Sequence, residues 1–366
     1  MAQLPTLSRA EFETRFDTLL SRLPGEALRS FEFIDLASDR KSWLDSGIDL
    51  AEGEHVTGFA IGKTRLKGAE LSFGADFQLW YRIGSDGVIF RGTRCSHSFT
   101  VEKPGRLYLA SYFPGEWSSR TGDLATPPEV YDQAEGTLTE LLIRWGCDPL
   151  DGLRTLMALG DVDELIAGEI DCRTHPVPTP PGWEYLWFVG PAEIYRPCME
   201  QEGKPAICCH SRNDVGLLHK DVVLPFEPGT RLRWAWRIDQ LPSPVREDTL
   251  PTHDYLSIAV EFDNGQDITY FWSSELPVGT GFRCPIPTWT ARETHVVVRS
   301  GSEGLGEWFN EERDVYRDYG KYIGGTMPAN IVRVWLIAVS FFQGKEGKCW
   351  YSDIGFVTGD GVVPVR

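Results

Sequence analysis

Residues 231–239 read Arg-Leu-Arg-Trp-Ala-Trp-Arg-Ile-Asp, and this stretch decides the fold class. Large apolar side chains occupy every second position of it, at Leu232, Trp234, Trp236 and Ile238. A period of two is typical of a β-strand with one buried face. The sequence therefore predicts a strand that buries its tryptophans and turns its arginines outward.

Similar patterns surround this strand throughout the carboxy-terminal half. The predicted strands are 185–189, 206–209, 216–224, 231–239, 256–262, 268–274, 295–299, 331–340 and 349–356. Strands separated by turns, without alternating helices, predict an antiparallel sandwich of jelly-roll type over residues 183–366. The segment 307–319 contains neither glycine nor proline and is expected to form a short helix or an ordered loop.

Several segments of this half carry a resemblance to a known family. They are Leu232–Pro242, Tyr270–Ser274 with Pro277–Gly279, Val296–Gly301, Gly306–Trp308, Arg313–Val315, Asp318–Tyr319 and Ser352–Phe356. With these segments the half resembles the bacterial family known as domain of unknown function 3047. The resemblance implies a shared fold, but no activity is assigned to the family. Near residue 340 the chain reads Ser-Phe-Phe-Gln-Gly, where the family has a turn rich in Asp and Thr.

The amino-terminal part begins with a helix and continues in short strands. Residues 7–23 place apolar side chains at helical spacing, and Ser8 with Glu11 forms a capping box. The predicted strands that follow are 31–34, 55–61, 77–83, 88–91 and 106–111. Their regular spacing predicts a second β-sandwich, so that the first domain spans residues 1–126.

Four segments of this sandwich carry a second resemblance, namely 46–54, 79–84, 105–110 and 113–117. Over residues 40–125 they resemble bacterial galactose-binding lectins of the PA-I type, a small jelly-roll-like family that binds galactose through calcium. In the loop 112–123, Tyr112 and Arg120 stand where the family has oxygen ligands, and calcium requires six to eight of these. The resemblance therefore implies the fold without the calcium-mediated sugar site.

Residues 127–182 are expected to connect the two sandwiches. Apolar residues at helical spacing predict one helix up to Trp145, and a second helix is predicted for residues 150–166. The proline-rich stretch 172–182 predicts an extended linker. The fold class is thus mainly β, with two antiparallel sandwich domains, an amino-terminal helix and a helical connector.

Composition restricts the partners and the compartment. The net charge of −17 and the pI near 4.9 disfavour binding to nucleic acid and to anionic membranes. The eight cysteines are scattered, and neither a signal peptide nor a spanning segment is recognised. We therefore expect reduced thiols and a cytoplasmic protein, with oligomerisation left open.

Two groups of residues are candidates for acid–base chemistry. His253 and Asp254 lie at the start of a strand, where an imidazole and a carboxylate could exchange protons, or where they could simply form a polar turn. Glu307 and Asp314 lie in the charged segment 307–319, which could hold a reacting group or form a lattice of ion pairs.

Aromatic and arginine side chains are the candidates for ligand binding. The residues are Trp308, Arg313, Tyr319, Tyr270, Trp272 and Arg237. Flat rings suit the apolar faces of sugars, although ordinary core packing would use the same residues. No metal site and no cofactor are expected, because Cys208, Cys209, His210 and His219 lack zinc spacing.

Two functions follow from these patterns. The first is recognition of a small polar organic ligand, carbohydrate-like in its chemistry, by the carboxy-terminal sandwich. The alternative is a cofactor-independent lyase, hydrolase or cyclase that uses carboxylates and His253. Exposed rings on a groove would favour recognition, and ionisable groups that converge in a pocket would favour the enzyme.

Overall fold

The computed structural model describes residues 6–112, 117–200 and 203–365. Its chain is mainly β, with several antiparallel sheets and an amino-terminal helix, as the sequence predicts. It divides into two units. The first comprises Met1–Pro176 and Trp187–Pro191, and the second comprises Val177–Leu186 and Ala192–Arg366.

Among its described residues, the first unit contains two sheets, four α-helices and a 3-10 helix, Pro128–Gln133. Its strands are β1 (Leu28–Ala37), β2 (Leu44–Leu50), β3 (His55–Leu66), β4 (Ser72–Gly74), β5 (Leu79–Ile83), β6 (Ser96–Thr100), β7 (Gly105–Ser111) and β8 (Ala134–Trp145). Its helices are α1 (Arg9–Leu20), α2 (Ala75–Gln78), α3 (Pro149–Leu159) and α4 (Leu165–Thr174). One sheet has the order β1-β8-β3-β4 with β6 paired to β3, and the other has the order β2-β7-β5.

Helix α1 covers the larger sheet in the way that its apolar stripe predicts. Phe12 and Phe16 are fully buried, and the Phe16 ring stacks on that of Phe59 at 5.1 Å between centroids. The capping box is present, since Ser8 accepts a hydrogen bond from the backbone of Glu11 and the Glu11 carboxylate accepts one from that of Ser8. The amino-terminal helix therefore anchors one face of the sandwich.

The helix predicted to end at Trp145 is wrong, because residues 134–145 form strand β8. This strand pairs with β1 on one side and with β3 on the other. Leu138 and Leu142 face the smaller sheet, whereas Leu141 and Ile143 face the helices. Burial on both faces removes the period of two, and the remaining apolar spacing resembles that of a helix.

The second unit contains two larger sheets. Its strands are β9 (Glu184–Tyr185), β10 (Tyr195–Met199), β11 (Pro205–Arg212), β12 (Val215–Pro225), β13 (Arg231–Gln240), β14 (Tyr255–Phe262), β15 (Asp267–Ser273), β16 (Gly281–Arg283), β17 (Glu293–Ser300), β18 (Trp308–Asp314), β19 (Asn330–Val339), β20 (Glu346–Thr358) and β21 (Gly361–Pro364). The six-stranded sheet has the order β10-β11-β20-β13-β18 with β21 on β20, and the seven-stranded sheet has the order β16-β17-β15-β14-β19-β12-β9. The pair β15–β17 is parallel.

Aromatic side chains from both sheets fill the core of the second unit. Trp234 and Trp236 come from the six-stranded sheet, and Tyr270 and Trp272 come from the seven-stranded sheet; each is at most 1% exposed. The ring centroids lie 5.8 Å apart for Trp234 and Tyr270 and 6.0 Å apart for Trp236 and Trp272. The alternation in residues 231–239 therefore predicts the buried face of β13 correctly.

The segment 307–319 differs from its predicted structure. Residues Trp308–Asp314 form edge strand β18, which pairs with β13, whereas Val315–Asp318 form a helical turn, α5, that continues as a π-helical turn over Tyr319–Ile323. Pairing with a neighbour that is distant in sequence overrides the local preference. Asp314 and Asp318 therefore do not share one helix face.

A disulfide joins Cys198 of β10 to Cys208 of β11, with their Cα atoms 5.8 Å apart. The expectation that all cysteines are reduced is wrong for this pair, because pairing of the two strands brings residues together that share no motif. Such bonds persist in oxidising compartments. Within the described ranges, no helix is long and apolar enough to cross a bilayer.

Candidate functional site

Two tryptophans flank an arginine on the outer face of the six-stranded sheet. Arg237 of β13 lies opposite Trp308 of β18 on one side and opposite Trp350 of β20 on the other. All three side chains are half-buried, whereas the neighbouring Trp236 points into the core. We call Trp308, Arg237 and Trp350 the tryptophan–arginine row.

The centre of the row is held in a defined geometry. Arg237 donates two hydrogen bonds to the Asp239 carboxylate, from Nε at 2.6 Å and from Nη2 at 2.7 Å. The guanidinium also lies 4.7 Å from the centre of the Trp350 ring. The hydrogen bond to Asp239 raises the pKa of Arg237. Because two N–H groups are used, three others can face a ligand.

Three other predicted ligand-binding residues belong to the core instead. Tyr270, Trp272 and Tyr319 are at most 1% exposed. Trp272 Nε1 donates to the carbonyl of Gly301 at 2.9 Å, and the Tyr319 hydroxyl accepts from Asn264 Nδ2 at 2.8 Å. These side chains therefore have almost no surface to offer a ligand.

Arg313 joins the aromatic core to the segment after β18. Its guanidinium donates to the Asp318 carboxylate at 2.9 and 3.0 Å and lies 5.6 Å from the centre of the Tyr270 ring. The Tyr270 hydroxyl donates to the same carboxylate at 3.0 Å. Arg313 is thus already occupied by a structural ion pair.

Among the predicted catalytic carboxylates, two have local structural partners. Asp314 caps α5 by accepting a hydrogen bond from the backbone of Arg317 at 2.9 Å. Asp254 is buried and accepts from the backbone of Phe342 at 2.9 Å and of Gln343 at 2.6 Å. Burial raises the pKa of Asp254 to about 6 despite these bonds. Glu307 is exposed.

His253 lies in a buried polar cluster that the sequence does not reveal. Its other members are Cys284, Glu293 and His295, and one ligand atom from each of the four lies within 4.8 Å of the others. Glu293 and His295 project from the outer side of β17. Val296 and Val298 of the same strand have the opposite parity and belong to the core. We call these four residues the buried histidine cluster.

Neighbouring side chains orient the cluster. Glu293 Oε1 accepts hydrogen bonds from the Tyr255 hydroxyl at 3.1 Å and from Thr269 Oγ1 at 3.2 Å. The Phe282 ring stacks on the His295 ring with 5.0 Å between the ring centroids. The centroid of the His253 ring lies 4.8 Å from that of His295. The carboxylate, the two imidazoles and the thiol are therefore buried close together and are surrounded by aromatic rings.

Burial shifts the ionisation of the cluster. It lowers the pKa of His253 to about 4, with a contribution from His295, and it raises the pKa of the Cys284 thiol. Burial would also raise the pKa of Glu293, but the combined effects of His295, His253 and Cys284 outweigh it and lower that pKa to about 2. An ionised carboxylate is thus held inside the protein beside neutral His253.

The predicted site residues are therefore not gathered in one pocket. His253 lies beyond the outer face of the seven-stranded sheet, whereas Trp308 and Arg237 lie on the outer face of the other sheet. Sequence reasoning missed Trp350, Cys284, Glu293 and His295. The spacing Glu293-Thr-His295 places two potential ligands on one strand face, and this was the available signal.

The first unit contains an open cavity of about 430 Å³. Its lining includes Trp43, Arg82, Tyr108, Trp117 and Asp123. The Arg82 guanidinium lies 4.5 Å from the centre of the Trp43 ring, and Trp43 stacks on Trp117 at 5.4 Å. The cavity borders the loop at which the lectin resemblance departs from the calcium pattern, but residues 113–116 of that loop lie outside the described residues.

A family model matches part of the chain. Residues 181–355 match the family described as "Protein of unknown function (DUF3047)", which confirms the resemblance predicted for the carboxy-terminal half. No curated protein matches the chain.

Several solved structures are similar at low identity. The N-terminal domain of EclA, a PllA-like lectin, is 15% identical, with 33% of this chain and 99% of that chain covered and a TM-score of 0.23. The xyloglucanase domain of NopAA from Sinorhizobium fredii is 8% identical, with coverages of 51% and 96% and a TM-score of 0.31. A family 30 carbohydrate-binding module from Clostridium thermocellum is 11% identical, with coverages of 49% and 88% and a TM-score of 0.27.

Proposed function

We propose that the protein recognises a saccharide, or a similar neutral polyhydroxylated ring, on the outer face of its six-stranded sheet. The tryptophan–arginine row is the observation that carries this proposal. Two indole faces and a guanidinium in register across three neighbouring strands provide apolar and hydrogen-bonding contacts side by side.

The chemistry of the row fits a sugar ring. Indole rings pack against the C–H groups of a pyranose face, and the three N–H groups of Arg237 that do not contact Asp239 can donate to ligand hydroxyls. Asp239 holds the guanidinium in place before a ligand arrives, so less side-chain entropy is lost on binding.

The charge of the surrounding face supports a neutral ligand. Arg237 is paired with Asp239, Arg231 with Glu312, and Lys348 with Glu346. These three cations of the face are thus balanced locally, and the net charge of −17 repels anions at longer range. We therefore expect uncharged oligosaccharides to bind in preference to sulfated or uronic-acid-containing ones.

Binding to a panel of neutral gluco-, xylo- and galacto-configured oligosaccharides tests the proposal. Isothermal titration calorimetry would be performed on the wild type, Trp308→Ala and Trp350→Ala. We expect each substitution to weaken binding about tenfold, which corresponds to roughly 1.4 kcal/mol. Trp289→Ala is the matched control, because Trp289 is a half-buried tryptophan of the same unit that lies over Arg292 rather than in the row.

The same panel tests whether oligosaccharides bind to the tryptophan–arginine row or to the cavity of the first unit. Trp43→Ala removes an aromatic wall of that cavity without touching the row. Binding lost in Trp43→Ala but kept in Trp308→Ala and Trp350→Ala would move recognition to the first unit. An absence of binding to every oligosaccharide would refute the proposed function, and release of reducing ends would favour the predicted enzymatic alternative.

A further inference from the structure

We propose that His253, Cys284, Glu293 and His295 bind a divalent transition metal of the zinc class as a structural site of the second unit. Two imidazoles, one thiolate and one carboxylate form a donor set that zinc accepts, whereas calcium and magnesium prefer oxygen alone. The proposal concerns the face opposite the tryptophan–arginine row and does not depend on the proposed function.

Paired strands hold the four side chains together. Glu293 and His295 are two residues apart on β17 and so project to the same side. Cys284 follows β16, and its backbone N–H donates to the carbonyl of Glu293 at 3.0 Å. His253 immediately precedes Asp254 and strand β14. Ligands on or beside strands are positioned more firmly than ligands on free loops.

The hydrogen bond of His253 leaves one ring nitrogen ready for a metal. Nδ1 lies 2.8 Å from the carbonyl oxygen of Glu247, and since a carbonyl can only accept, Nδ1 carries the proton. Nε2 then has a free lone pair and faces the Cys284 sulfur at 3.4 Å. Metal-binding histidines commonly donate their second N–H to a backbone carbonyl in this way.

His295 provides an independent sign of a missing partner. Its side chain is fully buried, and neither ring nitrogen has a hydrogen-bond partner among the residues that the structure describes. Nε2 lies 3.4 Å from Glu293 Oε1 without hydrogen-bond geometry. Buried polar groups are rarely left unpaired, and a metal bound by one of the ring nitrogens would supply a partner.

The separations agree with tetrahedral coordination. Zinc–ligand bonds of about 2.0–2.3 Å place the ligand atoms of a tetrahedron roughly 3.4–3.6 Å apart. The contacts His253–Cys284 and His295–Glu293 both measure 3.4 Å. The other pairs of ligand atoms lie within 4.8 Å, so a contraction of roughly 1.4 Å or less closes the site.

The surroundings favour a structural site. Four protein ligands complete a zinc tetrahedron and leave no position for water or substrate. All four side chains are buried, and the aromatic rings of Phe282 and Tyr255 cover His295. The metal would therefore join the segments before β14 and after β16 to the outer face of the seven-stranded sheet.

Metal analysis of the full-length chain tests the site. We expect about one zinc per chain after purification without chelators, and a lower melting temperature after removal of the metal. Cobalt substituted for zinc should give a thiolate-to-cobalt charge-transfer band. Cys284→Ser should lose this band and at least tenfold in zinc affinity, whereas Cys147→Ser, a free half-buried cysteine of the first unit, should retain both.

The cobalt spectrum of the wild type decides the proposal even if Cys284→Ser does not fold. A wild-type protein that takes up neither zinc nor cobalt stoichiometrically would overturn it, as would a charge-transfer band that persists in folded Cys284→Ser. A band that is present in the wild type and is kept when each other free cysteine is replaced by serine would support it.

Discussion

Glu140 is a buried carboxyl group whose protonation should make the stability of the first unit depend on pH. Burial raises the pKa of Glu140 to about 8, although a hydrogen bond from the Tyr81 hydroxyl at 2.7 Å opposes the shift. The folded state therefore holds a proton between the ordinary carboxyl pKa of about 4.5 and about 8, where the unfolded state does not. The contribution of Glu140 to the free energy of unfolding should fall as the pH rises through this window and should be constant below it.

We expect Glu140→Gln to remove this dependence, because glutamine stays neutral at every pH in the window. Between pH 5 and pH 7 the wild type should lose roughly 2 kcal/mol that the variant retains. Urea unfolding at several pH values measures the difference. Glu135→Gln is the control on the same strand, since Glu135 forms an exposed ion pair with Arg65. Parallel pH profiles for wild type and Glu140→Gln would contradict the prediction.

Individual residues of the candidate site are predictable only where the sequence of a single strand shows which side chains point outward. The alternation around Arg237 separates outward arginines from inward tryptophans, and Trp308 follows from its charged, aromatic segment. Trp350 could not be added, because its place beside Arg237 depends on the pairing of β13 with β20. Cys284 joins His253 for the same reason, since their proximity arises from tertiary packing rather than from spacing.

At the level of elements, strand pairing explains both the successes and the errors of prediction. Strands with one buried face, such as β13, show the period of two and were predicted correctly. Strand β8 is covered on both faces, and its apolar spacing wrongly predicts a helix. Edge strand β18 carries a charged sequence whose strand conformation is stabilised by pairing to β13. The spacing of apolar residues along a segment reflects which of its faces are buried. Burial depends in turn on strands and helices that are distant in sequence, so the spacing alone does not determine the secondary structure.

Two glycines allow β3 and β8 to approach closely. Gly62 and Gly136 have φ angles of +103° and +112°, and a Cβ atom on either would lie 2.2 Å from a backbone carbonyl oxygen of the other strand. We expect Gly62→Ala to lower the free energy of unfolding by roughly 3 kcal/mol, through both backbone strain and displacement of the strands.

Gly68→Ala is the matched control, because Gly68 also has a positive φ, +79°, but a Cβ atom added to it would meet nothing within 4 Å. This variant should cost about 1 kcal/mol in urea unfolding. Equal losses in the two variants would show that the close approach of β3 and β8 contributes nothing beyond backbone strain.

The disulfide should stabilise the pair β10–β11. Cys198 and Cys208 are 10 residues apart. Closing a loop of this length lowers the conformational entropy of the unfolded chain, which stabilises the folded state by about 3 kcal/mol. We expect dithiothreitol, or Cys198→Ser, to lower the melting temperature by several degrees. Cys147→Ser, a free cysteine of the first unit, should leave it nearly unchanged. Six free thiols after denaturation without reductant confirm the bond, and eight would refute it.

At the scale of the whole molecule, each unit has its own hydrophobic core. The helices and sheets of the first unit enclose the clusters around Phe16 and Leu138, and the two sheets of the second unit enclose the cluster around Trp236. Separate cores favour separate unfolding transitions. We therefore expect differential scanning calorimetry to resolve two transitions in the full-length chain.

The variants proposed above assign the transitions to the units. Gly62→Ala lies in the first unit and should lower one transition, whereas dithiothreitol acts on Cys198 and Cys208 in the second unit and should lower the other. Removal of a structural metal would act on the transition that dithiothreitol lowers, since His253 and His295 belong to the same unit. A single transition that all three changes shift together would mean that the two cores unfold as one cooperative structure, because the loss of stability in either unit would then be shared by both.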